Sequence, residues 1–580
     1  MKSRIMQKKY LMVLLPFLIF CFFNFYSQGN QYDTIIVDGM VLDGSGNPWF
    51  YADIGIKDGK IVFVGDLEDN TSAGRIIDAE GKTVVPGFID IHDHTYDAVR
   101  NEDSWTRREI DDKKFFAPNF IGQGITTVVS NQCGHGPTDI ATQIQALTNH
   151  GIGPNAMLMI GHNNVRTQVM GRGSDSRRTA TPEEIVKMRE LIKKAMEDGA
   201  SGMSAGLEYV PAIWSDTHES MELVKEIIPY GGVYIVHERS SGQDPMWYVP
   251  SQDEPGPPTM LDNVAEIIEV SETTGVKAVV THIKVKGANY WGTSKAVIHL
   301  IDRARARGVD IWGDCYPYNT TGTDGNTVLI PGWAYMTDRT GEQPQQRRRG
   351  GNTKEALQKT LADSKLTQDL RRDIKHEINR RGSAQNIIVM DYPDQSFIGK
   401  SLAELSKQFG ISHVDMAIKL QLEGYDNRRG GARLRGFSLS EIDVEAFSAQ
   451  PWCATSTDAN IALPEDGPDI HPRFYGSFPR KIKHYAMSRG IMTVENAVRA
   501  STSLPALIMG LKDRGMIKEG YCADIVVLDL NTIQDKATFF EPHQHSEGID
   551  YVLVNGEFAL DKGELTWKLA GKVLKNKKVK

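Results

Sequence analysis

Eight short apolar segments, separated by stretches with helical patterning, occupy the middle of this chain. A strand followed by a helix, repeated many times, is typical of a parallel α/β domain. Eight repeats predict that the sheet closes into a (β/α)₈ barrel of the TIM type, with a doubly wound open sheet as the alternative. The eight segments are VVPGFIDIH, GITTVVS, NAMLMIGH, SGMSAGL, GVYIVHE, KAVVTHI, VDIWGDCY and PWCATSTD.

The helical stretches carry start and stop signals. In TPEEIVKMRELIKKAMEDG, Thr181 suits the capping position, Pro182 suits the first helical position and Gly199 suits the end. The pattern therefore predicts a helix between the third and fourth strands.

Both ends of the chain are rich in short strand-like segments that are separated by glycine and aspartate, a pattern typical of β-hairpins. We expect one small β-sandwich domain built from residues 31–85 and 505–580, flanking a barrel at 86–504. The connection between the seventh and eighth strands is far longer than most barrel loops, and it forms an insertion at about 325–450. Its position favours either a lid over the catalytic face or a peripheral decoration.

The first thirty residues differ from the rest of the chain. An apolar run, Tyr10 to Phe23, follows a start with four basic residues, Lys2, Arg4, Lys8 and Lys9. The run is shorter than the ~20 residues of a spanning helix. This pattern predicts a signal peptide at 1–30, with an uncleaved anchor as the alternative. We therefore expect an exported protein, periplasmic or secreted, with no membrane span once the leader is removed.

The formal net charge of −8 lacks the basic footprint of nucleic-acid binding, and no such partner is expected.

The strand ends carry residues that bind metals. His92 and His94 follow the first strand, and residues two apart on a strand face the same side. Four further candidates end other strands: Cys133, His237, His282 and Asp458. Because all strands of a parallel barrel finish at one face, the six side chains can meet there. Each alone also fits a core or capping role, but together they predict a metal site, and thiolate, imidazole and carboxylate donors suit zinc.

Longer motifs carry a family resemblance. The segments PGFIDIHDH, GQGITTVVSNQCG, GHNNVR, THIKVKG, DCYPY, HPRFYGSFPR and DRGMIKEGYCADIVVLDL resemble the N-acyl-D-amino-acid deacylase branch of the amidohydrolase superfamily. The likeness covers nearly the whole mature chain in order and is weakest across residues 335–385. It implies that Cys133, His237 and His282 hold a tightly bound zinc, and that a weaker second ion lies among His92, His94 and Asp458.

The resemblance also implies an activity, the hydrolysis of N-acyl-D-amino acids, with a small N-acyl amino acid as the substrate partner. Asp458 stands where a general base is expected, taking a proton from water and returning it to the leaving amine. Three further side chains are implied to line the substrate pocket: Lys284, Tyr316 and Arg473. Arg473 also fits a structural ion pair, and Tyr316 a packing aromatic.

The chain departs from the branch at three places. Gly322 stands where the branch usually has a serine, which removes an expected hydroxyl contact. Asp93 replaces a threonine and is expected to face away from the metal. His135 is also unusual and is expected in the pocket or just behind the ligands.

Other functions remain open from sequence. A related amidohydrolase acting on dipeptides or cyclic amides, and a non-catalytic metal-binding barrel, are the alternatives. A Cys133 nucleophile is a third hypothesis.

Overall fold

The computed structural model describes residues 31–68, 71–99, 112–322, 327–335, 353–426 and 428–579. The predicted leader at 1–30 and the QPQQRRRGG part of the insertion lie outside the described residues. Within the described ranges, no helix combines the length and apolarity that crossing a bilayer requires.

The middle of the chain forms a parallel barrel, and this confirms the predicted fold class. Its strands are almost wholly buried, as expected for strands with helices outside and packed side chains inside. The first three strands pair in order, and the third continues, after Met159, into a ladder that runs to the eighth. The strands are Phe88–Asp90, Ile125–Ser130, Asn155–Leu158 with Ile160–Gly161, Gly202–Gly206, Val233–His237, Lys277–Val280, Ile311–Cys315 and Cys453–Thr455.

Hydrogen bonds between the first and eighth strand regions close the barrel. The Asp90 carboxylate accepts from the Thr457 amide at 3.2 Å and from the Thr457 hydroxyl at 2.5 Å. One step further along, the Asp458 amide donates to the His92 carbonyl oxygen at 2.9 Å. These contacts exclude the open-sheet alternative.

Helices cover the outside of the barrel. Pro182–Asp198 begins with a capping box between Thr181 and Glu184 and ends at Gly199, as the sequence predicts. The remaining barrel helices are Asp112–Phe116, Pro118–Ile121, Ile140–His150, His162–Met170, Thr217–Val224, Met260–Thr274, Ser294–Ala306, Glu441–Ser448, Arg473–Arg480, Val494–Ser501 and Ser503–Met509, with a π-helix at Lys481–Ser488.

The two chain ends share one nine-stranded sheet, the predicted β domain. Thr83–Pro86 joins the halves, because it pairs parallel with Tyr32–Val41 and antiparallel with Ile525–Leu528. The other strands are Phe50–Lys57, Lys60–Gly65, Ala73–Asp78, Ile549–Val554, Glu557–Asp561 and Glu564–Leu565.

The segment between the seventh and eighth strands has a hydrophobic core of its own, which includes Ile374, Val389, Leu405 and Leu420. Its helices are Thr353–Leu361, Ser364–Arg380, Leu402–Phe409 and His413–Glu423, and its strands Ile387–Asp391 and Arg433–Gly436 pair antiparallel. A hydrogen bond of 2.7 Å from the Thr320 hydroxyl to the Gly436 carbonyl ties this unit to the barrel.

Candidate metal centre and active site

The backbone turns sharply where three candidate ligands follow their strands. Cys133, His282 and Asp458 have φ angles of 55°, 37° and 49°, in the left-handed region that residues other than glycine rarely adopt. Such strained residues cluster at functional sites, where the surrounding structure holds them in place.

The thiol of Cys133 lies at the centre of a group of imidazole nitrogens. Its Sγ is 3.5 Å from His237 Nδ1, 3.5 Å from His92 Nε2 and 3.8 Å from His282 Nε2. A tetrahedral zinc with the usual bond lengths to sulfur and nitrogen places such a pair of atoms about 3.6 Å apart. The donor types and their spacing therefore fit a zinc ion held by this group.

A second group shares His92 with the first. The Asp458 Oδ1 atom is 3.7 Å from His92 Nε2 and 3.6 Å from His94 Nε2. These three residues form a further cluster of metal-ligating character beside the one that contains Cys133. The structure thus brings together all six residues predicted as ligands, in two adjoining groups.

The outward nitrogens of the histidines are already engaged. Glu208 lies 3.2 Å from His237 Nε2, Asp97 lies 2.6 Å from His94 Nδ1, and the Thr281 hydroxyl lies 2.5 Å from His92 Nδ1. The ring nitrogen of a metal-binding histidine that does not face the metal normally donates a hydrogen bond to such a partner. This bond fixes the orientation of the ring and leaves the other nitrogen for the ion.

Sequence reasoning missed these partners, although two of them carried a signal. Glu208 directly follows the fourth-strand segment SGMSAGL, and Asp97 stands three residues after His94.

The surroundings of His282 differ from those of the other ligands. Its Nδ1 lies 2.6 Å from the Lys284 ammonium and 3.7 Å from the Glu238 carboxylate. Glu238 is fully buried, and neither of its carboxylate oxygens has a hydrogen-bond partner among the described residues. Burial raises the pKa of Glu238 to about 7. The sequence places this glutamate immediately after His237, a third signal that was overlooked.

The charges of the site favour the ionised forms of two ligands. Burial opposes ionisation of Cys133, but His92 and His237 outweigh it and hold the pKa of the thiol well below its usual value. Burial likewise opposes ionisation of Asp458, and the Arg473 guanidinium outweighs it, so the pKa of that carboxyl also lies well below the usual range. A thiolate and a carboxylate are the forms that bind a metal.

A cavity of about 320 Å³ opens beside these ligands. The three predicted substrate residues, Lys284, Tyr316 and Arg473, all line it. Arg473 is 1% exposed, donates from Nη2 to Asp458 at 2.9 Å and stands 4.5 Å from the centre of the Tyr316 ring. Its Nε and Nη1 atoms, and the Tyr316 hydroxyl, have no hydrogen-bond partner among the described residues. Buried donors without an acceptor are costly, and an acceptor from a ligand in the cavity that both residues line would remove that cost.

The three departures from the family pattern also have places in the structure. Asp93 faces away from the ligands as expected, accepting from the Val129 amide at 2.7 Å and the Ser130 hydroxyl at 3.0 Å. His135 and Gly322 line the cavity. Sequence reasoning missed several other lining residues, among them Tyr209, Met246, Lys286 and Arg381.

A closed parallel barrel with thiolate, imidazole and carboxylate donors at its carboxyl rim defines a metal-dependent hydrolase of the barrel class. Comparison with known proteins narrows the class. The model of the amidohydrolase family matches residues 75–227 and 384–559. The D-aminoacylase of Alcaligenes xylosoxydans xylosoxydans is 30% identical over 571 residues, covering 94% of this chain and 98% of that protein. The chain therefore belongs to the amidohydrolase family, in its N-acyl-D-amino-acid deacylase branch.

Solved structures agree with this assignment. A crystal structure of D-aminoacylase, 30% identical, aligns with a TM-score of 0.68 over 94% of this chain and 100% of that chain. The N-acyl-D-glutamate deacylase of Bordetella bronchiseptica, complexed with zinc and a phosphonate that mimics the tetrahedral intermediate, is 27% identical. It aligns with a TM-score of 0.69 over 94% of this chain and 99% of that chain.

The position of the Cys133 thiol generates a prediction about metal binding. Cys133→Ser should weaken zinc binding by more than about a hundredfold, because losing a ligand costs more than losing an outer partner of one. Competition with a chelator measures the dissociation constant. Cys522→Ser, which changes another buried cysteine in the β domain, is the matched control and should bind zinc like the unaltered protein. Equal zinc affinity in the two variants would show that the thiol is not a ligand.

Proposed function

We propose that this enzyme is a zinc-dependent deacylase that hydrolyses the amide bond of N-acyl-D-amino acids, releasing a carboxylic acid and a D-amino acid. The observation that carries the proposal is the position of Arg473 between the metal-ligand cluster and the cavity. Its Nε and Nη1 atoms and the hydroxyl of Tyr316 are buried donors without a partner among the described residues, and a substrate carboxylate at this wall of the cavity would give them an acceptor. A free carboxylate beside the scissile amide is what distinguishes an N-acyl amino acid from a simple amide.

The residues around the cavity have three separate roles in the proposed hydrolysis: holding the metal, transferring a proton and orienting the substrate. Cys133, His237 and His282 would hold the tightly bound zinc, and His92, His94 and Asp458 a second, weaker ion. When bound, zinc polarises a carbonyl group and makes a water molecule more acidic. Asp458 takes the proton from the attacking water and returns it to the leaving nitrogen. Arg473 orients the carboxylate of the substrate. Because it also pairs with Asp458, it holds the scissile amide close to that base.

Two arguments support the D-amino-acid substrate class. The relative at 30% identity, which aligns over nearly its whole length, is a D-aminoacylase, and the solved relatives include a deacylase of N-acyl-D-glutamate.

The segment 1–30, with its basic start and apolar run, supports an enzyme that works outside the cytoplasm.

A substrate panel tests the proposed function directly. N-acetyl-D-amino acids, their L enantiomers, dipeptides and hydantoins are incubated with the full chain, with zinc and after its removal by chelation. We expect zinc-dependent release of acetate from the D compounds, at a rate above that of the other three classes. Preferred hydrolysis of dipeptides or hydantoins would replace this proposal with another amidohydrolase activity. Hydrolysis of no compound, with zinc bound, would indicate a non-catalytic barrel.

The role of Asp458 generates a separate prediction. Asp458→Asn should lower kcat by about 10²–10⁴-fold, the usual contribution of a general acid–base residue. The zinc held by Cys133 should remain, as measured by metal analysis of the purified variant. Asp466→Asn alters a nearby carboxylate that pairs with Lys114 on the surface, and should leave kcat unchanged. Turnover by Asp458→Asn at the unaltered rate would contradict the assigned role.

A further inference from the structure

Lys286 stands on the wall of the same cavity, and its charge has no use in the mechanism above. The side chain is 8% exposed, and the residue lines the cavity together with Lys284 and Arg473. Among the described residues, no hydrogen bond or ion pair to its ammonium group is found. A buried ammonium is costly unless an anion faces it.

The neighbouring carboxylates are already engaged with other donors. Glu208 accepts from His237 Nε2 at 3.2 Å and from the Met246 amide. Glu377 accepts from Arg380 and, at 3.3 Å, from Arg381 Nε. Burial and the charge of Arg381 together lower the pKa of Lys286 to about 7, the response of a cation that lacks a counter-ion.

Arg381 adds a second positive charge to this side of the cavity. It follows the helix Ser364–Arg380 of the insertion and reaches the cavity from outside the barrel. The insertion therefore contributes to the pocket that holds the substrate, and it does so with a cation.

The backbone of Lys286 is fixed in place from two sides. Its amide donates to the Ser241 carbonyl at 2.8 Å, and isolated bridges pair the residue with Gly242 and Leu439. Lys284 stands two residues earlier, so the two backbone positions are at most about 7 Å apart.

We infer that Lys286 and Arg381 form a second anion subsite, which selects N-acyl amino acids that carry another carboxylate besides the one bound at Arg473. The inference rests on the proposed function and names its substrate class. The second carboxylate belongs either to the side chain of the amino acid or to the acyl group, and both sources present the same chemistry to the subsite.

Matched pairs of substrates test the inference on the zinc-loaded full chain. N-acetyl-D-glutamate against N-acetyl-D-glutamine tests the side-chain source, and N-succinyl-D-leucine against N-butanoyl-D-leucine tests the acyl source. We expect kcat/KM to favour the dianion in at least one pair by about tenfold to a hundredfold, the effect of one hydrogen bond between charged groups. The pair that shows the preference identifies the source.

Variants attribute that preference to the subsite. Lys286→Met keeps the apolar stem and removes the charge, so the ratio between the two kcat/KM values should fall to near one. Lys286→Arg should retain most of the ratio, and Arg381→Gln should reduce it. Lys295→Met and Arg372→Gln change exposed cations of a barrel helix and of the insertion helix, and should leave the ratio unchanged.

Two results would overturn the inference. One is no preference for either dianion. The other is a loss of kcat/KM in Lys286→Met that is equal for both members of a pair, which indicates a purely structural lysine.

Calorimetry with D-glutamate and D-glutamine, which have no N-acyl group to be removed, separates failure of the inference from failure of the proposed function. If no substrate is hydrolysed but D-glutamate binds more tightly and loses that advantage in Lys286→Met, the subsite stands and the deacylase function fails.

Discussion

Closure of the barrel is the constraint on which the whole site depends. The first and eighth strands are far apart in sequence, and the bonds from Thr457 to Asp90 and from Asp458 to the His92 carbonyl bring their ends together. Because every strand then finishes at one rim, donors from five strands converge there. Only His92 and His94 are close to each other in sequence. The left-handed backbone at Cys133, His282 and Asp458 completes the convergence.

Burial determines how strongly the charged groups at this rim interact with one another. Between buried groups, charges interact much more strongly than they do in water. The thiolate of Cys133 is stabilised by its histidines, and Asp458 is held ionised beside Arg473. Arg473 thus contacts the proposed base with one nitrogen, while two others have no partner among the described residues, and in the proposed function these face the substrate carboxylate.

The sequence predicted the parts of this molecule that have strong local patterns. The eight apolar segments became the eight barrel strands, and the residues at or just after the ends of five of them predicted where the six ligand candidates meet. Among the partners behind the ligands, Glu208 and Glu238 had a positional signal at their strand ends that was overlooked. Thr281 had none, because its contact with His92 depends on how the strands are arranged in the barrel. Lys286 and Arg381 were missed for a related reason: the insertion that brings Arg381 to the cavity folds around a core of its own, and its contact with the barrel has no pattern in sequence.

The central claim is that one zinc ion binds to the thiolate of Cys133 together with the imidazoles around it. X-ray absorption at the zinc edge of the purified protein measures this directly, because sulfur and nitrogen ligands differ in distance from the metal. The account predicts one sulfur neighbour at about 2.3 Å and nitrogen or oxygen neighbours at about 2.0–2.1 Å. A zinc shell containing only nitrogen and oxygen would contradict it.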